Sequence, residues 1–366
     1  MATTIKTAFD SIYLTAHLPE EVSIETDAAR LEVNIFVDDV KVFKSVYYPF
    51  DKVVSLRDIR SIIEASMCER QLVMATLKME VYEPKKSVSS PTSITIDENG
   101  NYVVTYGSDG SASPNATLNN VKMVYCRFKS GISSEGYLGN CFLTTRKSAL
   151  IPRNGHLSLS NYTNAYAQGS NYALIYYSHP QIPEQLFSYN ANLGKMQSTS
   201  EKIVTADLSY DYFKSMVDQA KGTDCKVHGV EYRIGVRQFN IFFTDEKPTE
   251  KFVFLNAFNI METAYLYNTT SIKTEVDRNE AVCGHRTQFY DETIKVKHEV
   301  ETAPLTFDEA KWLNQMLTSK LVKRPISDDV SAQVLISDIS SEVTDSDKEL
   351  IRIKFSWKYV DGTEWI

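Results

Sequence analysis

Four side chains of this 366-residue sequence are of the types that a tetrahedral zinc site takes: Cys225-x-x-His228 and Cys283-x-His285. Two thiolates and two imidazoles would close a structural site. Neither pair is a paired-cysteine knuckle, however, and Cys-x-His is short for one; two ordinary Cys/His pairs near strand ends are the plainer reading. Asp97-x-Asn99-x-Asn101 has the spacing that opens a calcium loop. The residues after it lack the bidentate glutamate such a loop needs, and a hairpin turn accounts for the same residues. The acidic stretch from Asp338 to Glu349 reads as a solvated loop. The sequence therefore predicts no metal and no cofactor. A third group is aromatic. Tyr162, Tyr166, Tyr172 and Tyr176 lie within 154–179, interleaved with Asn161, Asn164 and Gln168-Gly169-Ser170-Asn171. Tyrosine among Ser, Asn and Gly is the composition of adaptable recognition loops, which makes these four the candidate ligand-binding residues. Tyrosines that simply pack in strands would look the same.

Chemistry of other kinds finds no anchor. No phosphate loop, GxGxxG, HExxH, GxSxG or kinase motif occurs. A Ser-His-Asp triad needs no proximity in sequence, and six histidines give prominence to none of them. Two carboxylates at the separation glycoside hydrolysis requires cannot be placed from sequence. The expectation is a protein that is not an enzyme.

Bulk properties narrow the class. A net charge of -8 with no long Lys/Arg block gains nothing from phosphate counterion release, which argues against nucleic acid. No run of about 18 apolar residues exists, so no membrane span is expected. Met1 to Lys6 show no charged region leading into an apolar core, which predicts cytoplasmic synthesis without a secretory signal. Five scattered cysteines, an odd number with no CxxC, argue against a disulfide framework. Against 14 Gly stand 21 Tyr and 17 Phe, residues that fit pleated, half-buried surfaces.

The elements follow from periodicity. Leu31 to Val37, the turn Asp38-Asp39, and Val40 to Phe43 read as a hairpin. Ser55, with Asp58 three residues on, reads as the start of a helix bearing Leu56, Ile59, Ile62, Ile63 and Met67 on one face. Gln71 to Tyr82 returns to strand, and Asn99-Gly100 turns a second hairpin. Asp207 to Lys221 is helical, with Gly222 as its stop. Glu231 to Thr244 reads as one strand, followed by Lys251 to Leu255. Tyr290 to Val300 sets Ile294, Val296 and His298 on one face. Thr306 and Glu309 form a capping box before Trp312, Leu313, Met316 and Leu317. In the last strand Ile351, Ile353, Phe355, Trp357 and Tyr359 share a face. These elements predict a mainly β fold: antiparallel β-sandwich domains with a few packed α-helices. The expected divisions are 1–85, a sandwich with one helix; 95–225, a β-rich region with the Tyr-rich loops; and 230–366, a second sandwich with one helix.

From residue 230 on, the chain resembles tail or baseplate proteins, distal-tail-like, encoded by phages and prophages of Bacteroides-type bacteria. The residues that carry this are the run Phe252-x-Phe254-x-Asn256-x-Phe258-x-x-x-Glu262, the helix with Thr306, Glu309, Trp312 and Leu313, and the closing Phe355-x-Trp357-x-Tyr359. The hairpin at 31–43, with Tyr47-Tyr48-Pro49, is similar to their N-terminal portion more loosely. The resemblance implies a virion component near the tail tip, made in the host cytoplasm. It would form a ring of copies of itself, in many such proteins a hexamer, and contact other tail or baseplate proteins. It transfers no catalytic residue. A carbohydrate- or protein-binding module for host or cell-surface attachment is the alternative, resting on the Tyr-rich segment.

Overall fold

A computed structural model describes residues 2–83, 93–96, 102–105, 113–163, 170–195, 201–327, 329–340 and 351–362. Tyr166, the Asn99-Gly100 turn, the Asp97 motif and most of the acidic stretch lie outside them. The described residues are mainly β, in several antiparallel sheets with four α-helices among them. The chain divides into two compact units, Met1–Glu135 and Gly136–Ile366.

In the first unit, a five-stranded sheet runs Ile12–Leu14, Ala116–Val124, Met74–Tyr82, Leu31–Val37, Val40–Tyr47. Only the first pair is parallel. The expected hairpin at 31–43 is present: Asp38 and Asp39 take left-handed φ of 48° and 61°, the geometry that matches strand twist in a two-residue turn. Leu31, Val33, Ile35 and Val37 are wholly buried. The helix runs Ile59–Glu69, and its Ile59, Ile63 and Met67 enter the same core. It does not begin at Ser55. Asp51 and Lys52 turn the chain at positive φ, and Val53–Arg57 pairs as a strand with Glu21–Glu25. Leu56 is therefore buried from a strand, opposite Val22, and Asp58 precedes the helix without a side-chain cap. Residues Ala116–Val124, placed by sequence in the middle region, pair with Met74–Tyr82 and belong to this unit's sheet.

The second unit holds two larger sheets. The five-stranded one runs Ser148–Pro152, Arg237–Thr244, Lys226–Ile234, Ser170–His179, Ile182–Lys195. Its inner face, including Ala173, Ile175, Tyr232, Phe239 and Ile241, packs with Phe213 and Val217 of the helix Tyr210–Lys221. Ser209 caps that helix by accepting from the Tyr212 amide. Residues 231–244 are not one strand: Gly235, at φ 59°, folds them into a hairpin that opposes Ile234 to Arg237.

The seven-stranded sheet runs Met261–Leu266, Glu250–Leu255, Val322–Pro325, Ser331–Ser340, Lys354–Tyr359, Arg286–Thr302, Asn268–Cys283. The helix Phe307–Leu317 covers it with Trp312, Leu313, Met316 and Leu317, all buried. Each such side chain contributes roughly 1.5–3 kcal/mol on leaving water. The capping box forms as its spacing predicts, Thr306 Oγ1 accepting from Glu309 N at 3.3 Å and the Glu309 carboxylate accepting from Thr306 N at 2.9 Å. Ile351, Ile353, Phe355, Trp357 and Tyr359 are all buried, as their alternation requires.

Candidate functional site

The last two strands of the seven-stranded sheet leave the body. Asn268–Cys283 and Arg286–Thr302 pair antiparallel from Asn268 opposite Thr302 to Cys283 opposite Arg286, turning at Gly284 with φ 66°. Only His298 to Glu301 find a further strand, pairing with Trp357 to Lys354. Among the described residues, the two strands pair only with each other beyond the Ile272–His298 pair, and every residue from 271 to 295 is exposed. At ~3.4 Å per residue this ribbon reaches about 40 Å from Ile272 to its tip.

Its two faces differ in kind. Opposed residues of an antiparallel pair share a face. Val300 and His298 face the core beside Phe355 and Trp357, and the His298 ring stacks on Trp357 with centroids 3.8 Å apart and planes 4° from parallel. The same face continues outward through Ile272, Val296, Val276 and Ile294 to the Arg278–Glu292 pair at 2.7 Å. Beyond a register shift at Asn279/Glu280 it reaches Phe289, whose ring lies 5.1 Å from the Arg278 guanidinium. The opposite face is charged, with Lys295–Asp277 at 3.1 Å and Lys273–Glu275 at 3.3 Å. Ile272 is 65% exposed, Phe289 56% and Ile294 52%. An apolar core face thus runs out of the body, and from Ile272 to the tip no further strand among the described residues lies against it. A lone two-stranded hairpin is at best marginally stable in water, so this geometry calls for a cover.

The outer face of the five-stranded sheet is the second open surface. Ala173, Ile175 and Tyr177 point into the core, which turns Tyr172, Leu174 and Tyr176 outward, half-buried. The register sets Tyr176 opposite Gly229, Gly229 opposite Phe242, and Phe242 opposite Leu150. Phe242 is 53% exposed and Leu150 43%. A Cβ at Gly229 would crowd the Ile241 carbonyl oxygen at 3.0 Å and meet the Phe242 ring in ordinary contact at 3.6 Å. Arg233, paired with Glu231, lies 5.7 Å from the Tyr172 ring. Of the four candidate tyrosines, Tyr172 and Tyr176 therefore share one face. Tyr162 does not join them: it is 5% exposed in Ser158–Thr163, opposite Ile203, and packs instead of presenting its ring.

A buried polar cluster lies inside the same unit. Glu262 accepts from Trp312 Nε1 at 2.5 Å and from Asn256 Nδ2 at 2.6 Å, and Arg146 Nε lies 3.7 Å from its carboxylate. Asn256 also donates to the Leu143 carbonyl and accepts from the amides of Phe258 and Ile260. The Arg146 guanidinium stacks 4.3 Å from Trp312, of the seven-stranded sheet's core, and 5.9 Å from Phe239, of the five-stranded sheet's core. Burial holds its pKa below the ordinary value, and the Glu262 charge opposes that. The run Phe252 to Glu262 and the Trp312 helix, read separately in sequence, are thus one bonded unit whose role is to join two cores. Sequence gave no signal for Arg146.

The Cys/His pairs are not brought together as a cluster. Cys225 is buried, which pushes its thiol up, and His228 Nε2 lies 2.8 Å from Ser178 Oγ. Cys283 sits exposed at the ribbon tip. Among the described residues, no three His, Cys, Asp or Glu side chains gather as a metal would require. No helix among them is long and apolar enough to cross a membrane. No protein-family model matches the chain, and no curated protein matches it.

Proposed function

We propose that this chain is a structural component of a phage tail tip or baseplate, assembling into a symmetric ring of its own copies and linking the tail to host-attachment parts. The ribbon carries this reading. A chain that extends an uncovered core face about 40 Å into water is built to be covered by another chain. The bonded unit of Phe252 to Glu262 with Trp312 supports it further, because it is the run on which the resemblance to tail proteins rests, and it holds the sheet from which the ribbon springs. Assembly takes place in the host cytoplasm, and the finished protein resides in the virion tail.

The test is the solution mass of the full chain by light scattering, beside an Ile272→Lys/Ile294→Lys variant. The wild type is expected as one species at a fixed multiple of 41.5 kDa, six for a hexameric ring. The variant is expected as a monomer with an unchanged circular dichroism spectrum. A wild type that stays monomeric at every concentration would refute ribbon-driven assembly. Tyr172 and Tyr176 on one open face favour a second reading, a carbohydrate- or protein-binding module; a glycan array probed with wild type and Tyr172→Ala/Tyr176→Ala tests it, and no wild-type signal ends its carbohydrate form.

A further inference from the structure

We infer that the ribbon of one copy lies across the outer face of the five-stranded sheet of the next copy, apolar face to apolar face, in a head-to-tail contact. This rests on the assembly reading and names the surfaces that reading leaves open. Both surfaces belong to the same compact unit, Gly136–Ile366, so each copy carries a donor and a seat.

Three observations select this occupant. The first is chemistry. The ribbon offers Ile272, Val276, Ile294 and Phe289 around the Arg278–Glu292 pair. The seat offers Leu150, Phe242 and Tyr176 around the Arg233–Glu231 pair. The seat holds one cation and one anion, and the ribbon face holds Arg278 with Glu292 and, opposite Phe289, Glu280. Opposing pairs can exchange partners across the contact, Arg278 toward Glu231 and Glu292 toward Arg233, with Glu280 left near the ribbon tip.

The second is shape. Two sheets stack face to face about 10 Å apart, and a two-stranded ribbon laid on a five-stranded sheet extends that packing. Gly229 leaves the middle of the Leu150–Phe242–Gly229–Tyr176 row without a side chain, a shallow trough flanked by two rings. That trough suits a bulky knob such as Phe289 or Ile294.

The third is area. A ribbon about 40 Å long and about 10 Å wide presents roughly 400 Å². Two ribbons paired with each other would bury about 800 Å² in total, as would one ribbon on one seat, a size typical of lattice and weak transient contacts. A head-to-tail contact uses both surfaces of every copy, so each copy takes part in two such interfaces. Closing the ring makes the last contact intramolecular, with the gain in effective concentration that brings.

Disulfide trapping between full-length chains tests the pairing. Two variants are made in a Cys283→Ser background: Ile294→Cys on the ribbon and Phe242→Cys on the seat. Both sites are about half exposed, so neither substitution disturbs the core. Under mild oxidation, a cross-linked dimer is expected when the two variants are mixed and not with either alone. A chain carrying both cysteines is expected to give a ladder of covalent oligomers. Cross-linking of the Ile294→Cys variant with itself would overturn the proposal in favour of ribbon–ribbon pairing. Light scattering that shows assembly without a mixed cross-link would overturn it while leaving the assembly reading standing. A chain that remains monomeric and forms no cross-link sinks both.

Discussion

Replacing Glu262 by Gln is the sharpest test of how the second unit holds together. The side chain is 4% exposed and its two oxygens take protons from Trp312 and Asn256 at 2.5 and 2.6 Å. Gln keeps the shape but has one acceptor oxygen and an NH2 group. That group must face either the indole N–H or the Asn256 amide, donor against donor. The substitution also removes the negative charge 3.7 Å from Arg146, leaving a buried guanidinium with no counter-charge among the groups described around it. Breaking a buried pair by removing one partner costs about 3–5 kcal/mol. The lost acceptor overlaps with that cost and does not simply add to it. In a unit of this size each kcal/mol moves the melting midpoint by ~2–4 °C, so the drop is roughly 6–20 °C. Urea denaturation followed by Trp fluorescence measures it. The double variant Arg146→Met/Glu262→Gln removes both charges, and a coupling of at least ~1 kcal/mol is expected between the two substitutions. A Glu262→Gln change within ~0.5 kcal/mol of wild type, the range of an ordinary surface substitution, would refute the reasoning. So would strict additivity in the double variant.

Thr306→Ala removes one half of the capping box and is expected to lower stability by about 1 kcal/mol in the same denaturation. Gly155→Ala places a Cβ 2.9 Å from the Tyr265 ring, whose hydroxyl bonds both the amide and the carbonyl of His156; a loss of ~1–3 kcal/mol is expected by thermal melting. Cys283 should react first with iodoacetamide, because it is the exposed thiol while burial pushes Cys126 up to about 12 and also raises Cys141 and Cys225; peptide mapping after brief labelling reads this out. Burial, then the charges of Lys226 and Arg153, lowers the pKa of His228 below its ordinary 6.5. The unfolded chain therefore takes up the proton at higher pH than the folded one, so the His228 contribution is intact above about 6.5 and is lost as pH falls through the folded value. Denaturation midpoints between neutral pH and pH 5 should fall less steeply in His228→Asn than in wild type.

Where one face of a strand is buried and the other is not, alternation alone reveals the strand, and the closing run from Ile351 to Tyr359 was legible for that reason. The Thr306–Glu309 box was legible because capping is local chemistry. Ser55 misled for the complementary reason. Its spacing to Asp58 was like that of a capping box, but the turn at Asp51-Lys52 and pairing with Glu21–Glu25 kept it in a strand. Tertiary pairing outweighed a local signal. Gly235 carried a cue that was there to read, a glycine inside an apparent strand, and it marked the hairpin. The strand Asn268–Cys283 also alternates, with Thr270, Ile272, Thr274 and Val276. It was nonetheless assigned no element from sequence, because a strand far from the body looks like surface on both sides. The surfaces themselves were half visible. Tyr172 and Tyr176 stood out by type, yet Phe242 and Leu150 come next to them only through strand order, which no single sequence displays. Arg146 was silent for the same reason: its partners are Glu262 and Trp312, more than a hundred residues away.

The root of the ribbon also decides how force would pass through it. The Arg286–Thr302 strand is held to Lys354–Tyr359 by four opposed pairs, from His298–Trp357 to Glu301–Lys354, with the His298–Trp357 stack at their outer end. A pull along the ribbon's axis loads those pairs together, in shear. A sideways pull at the tip works as a lever about 40 Å long and loads the outermost pair first, peeling them one at a time. The same joint is thus strong along one direction and weak across it. An array of such ribbons would transmit tension along their length while giving way to bending.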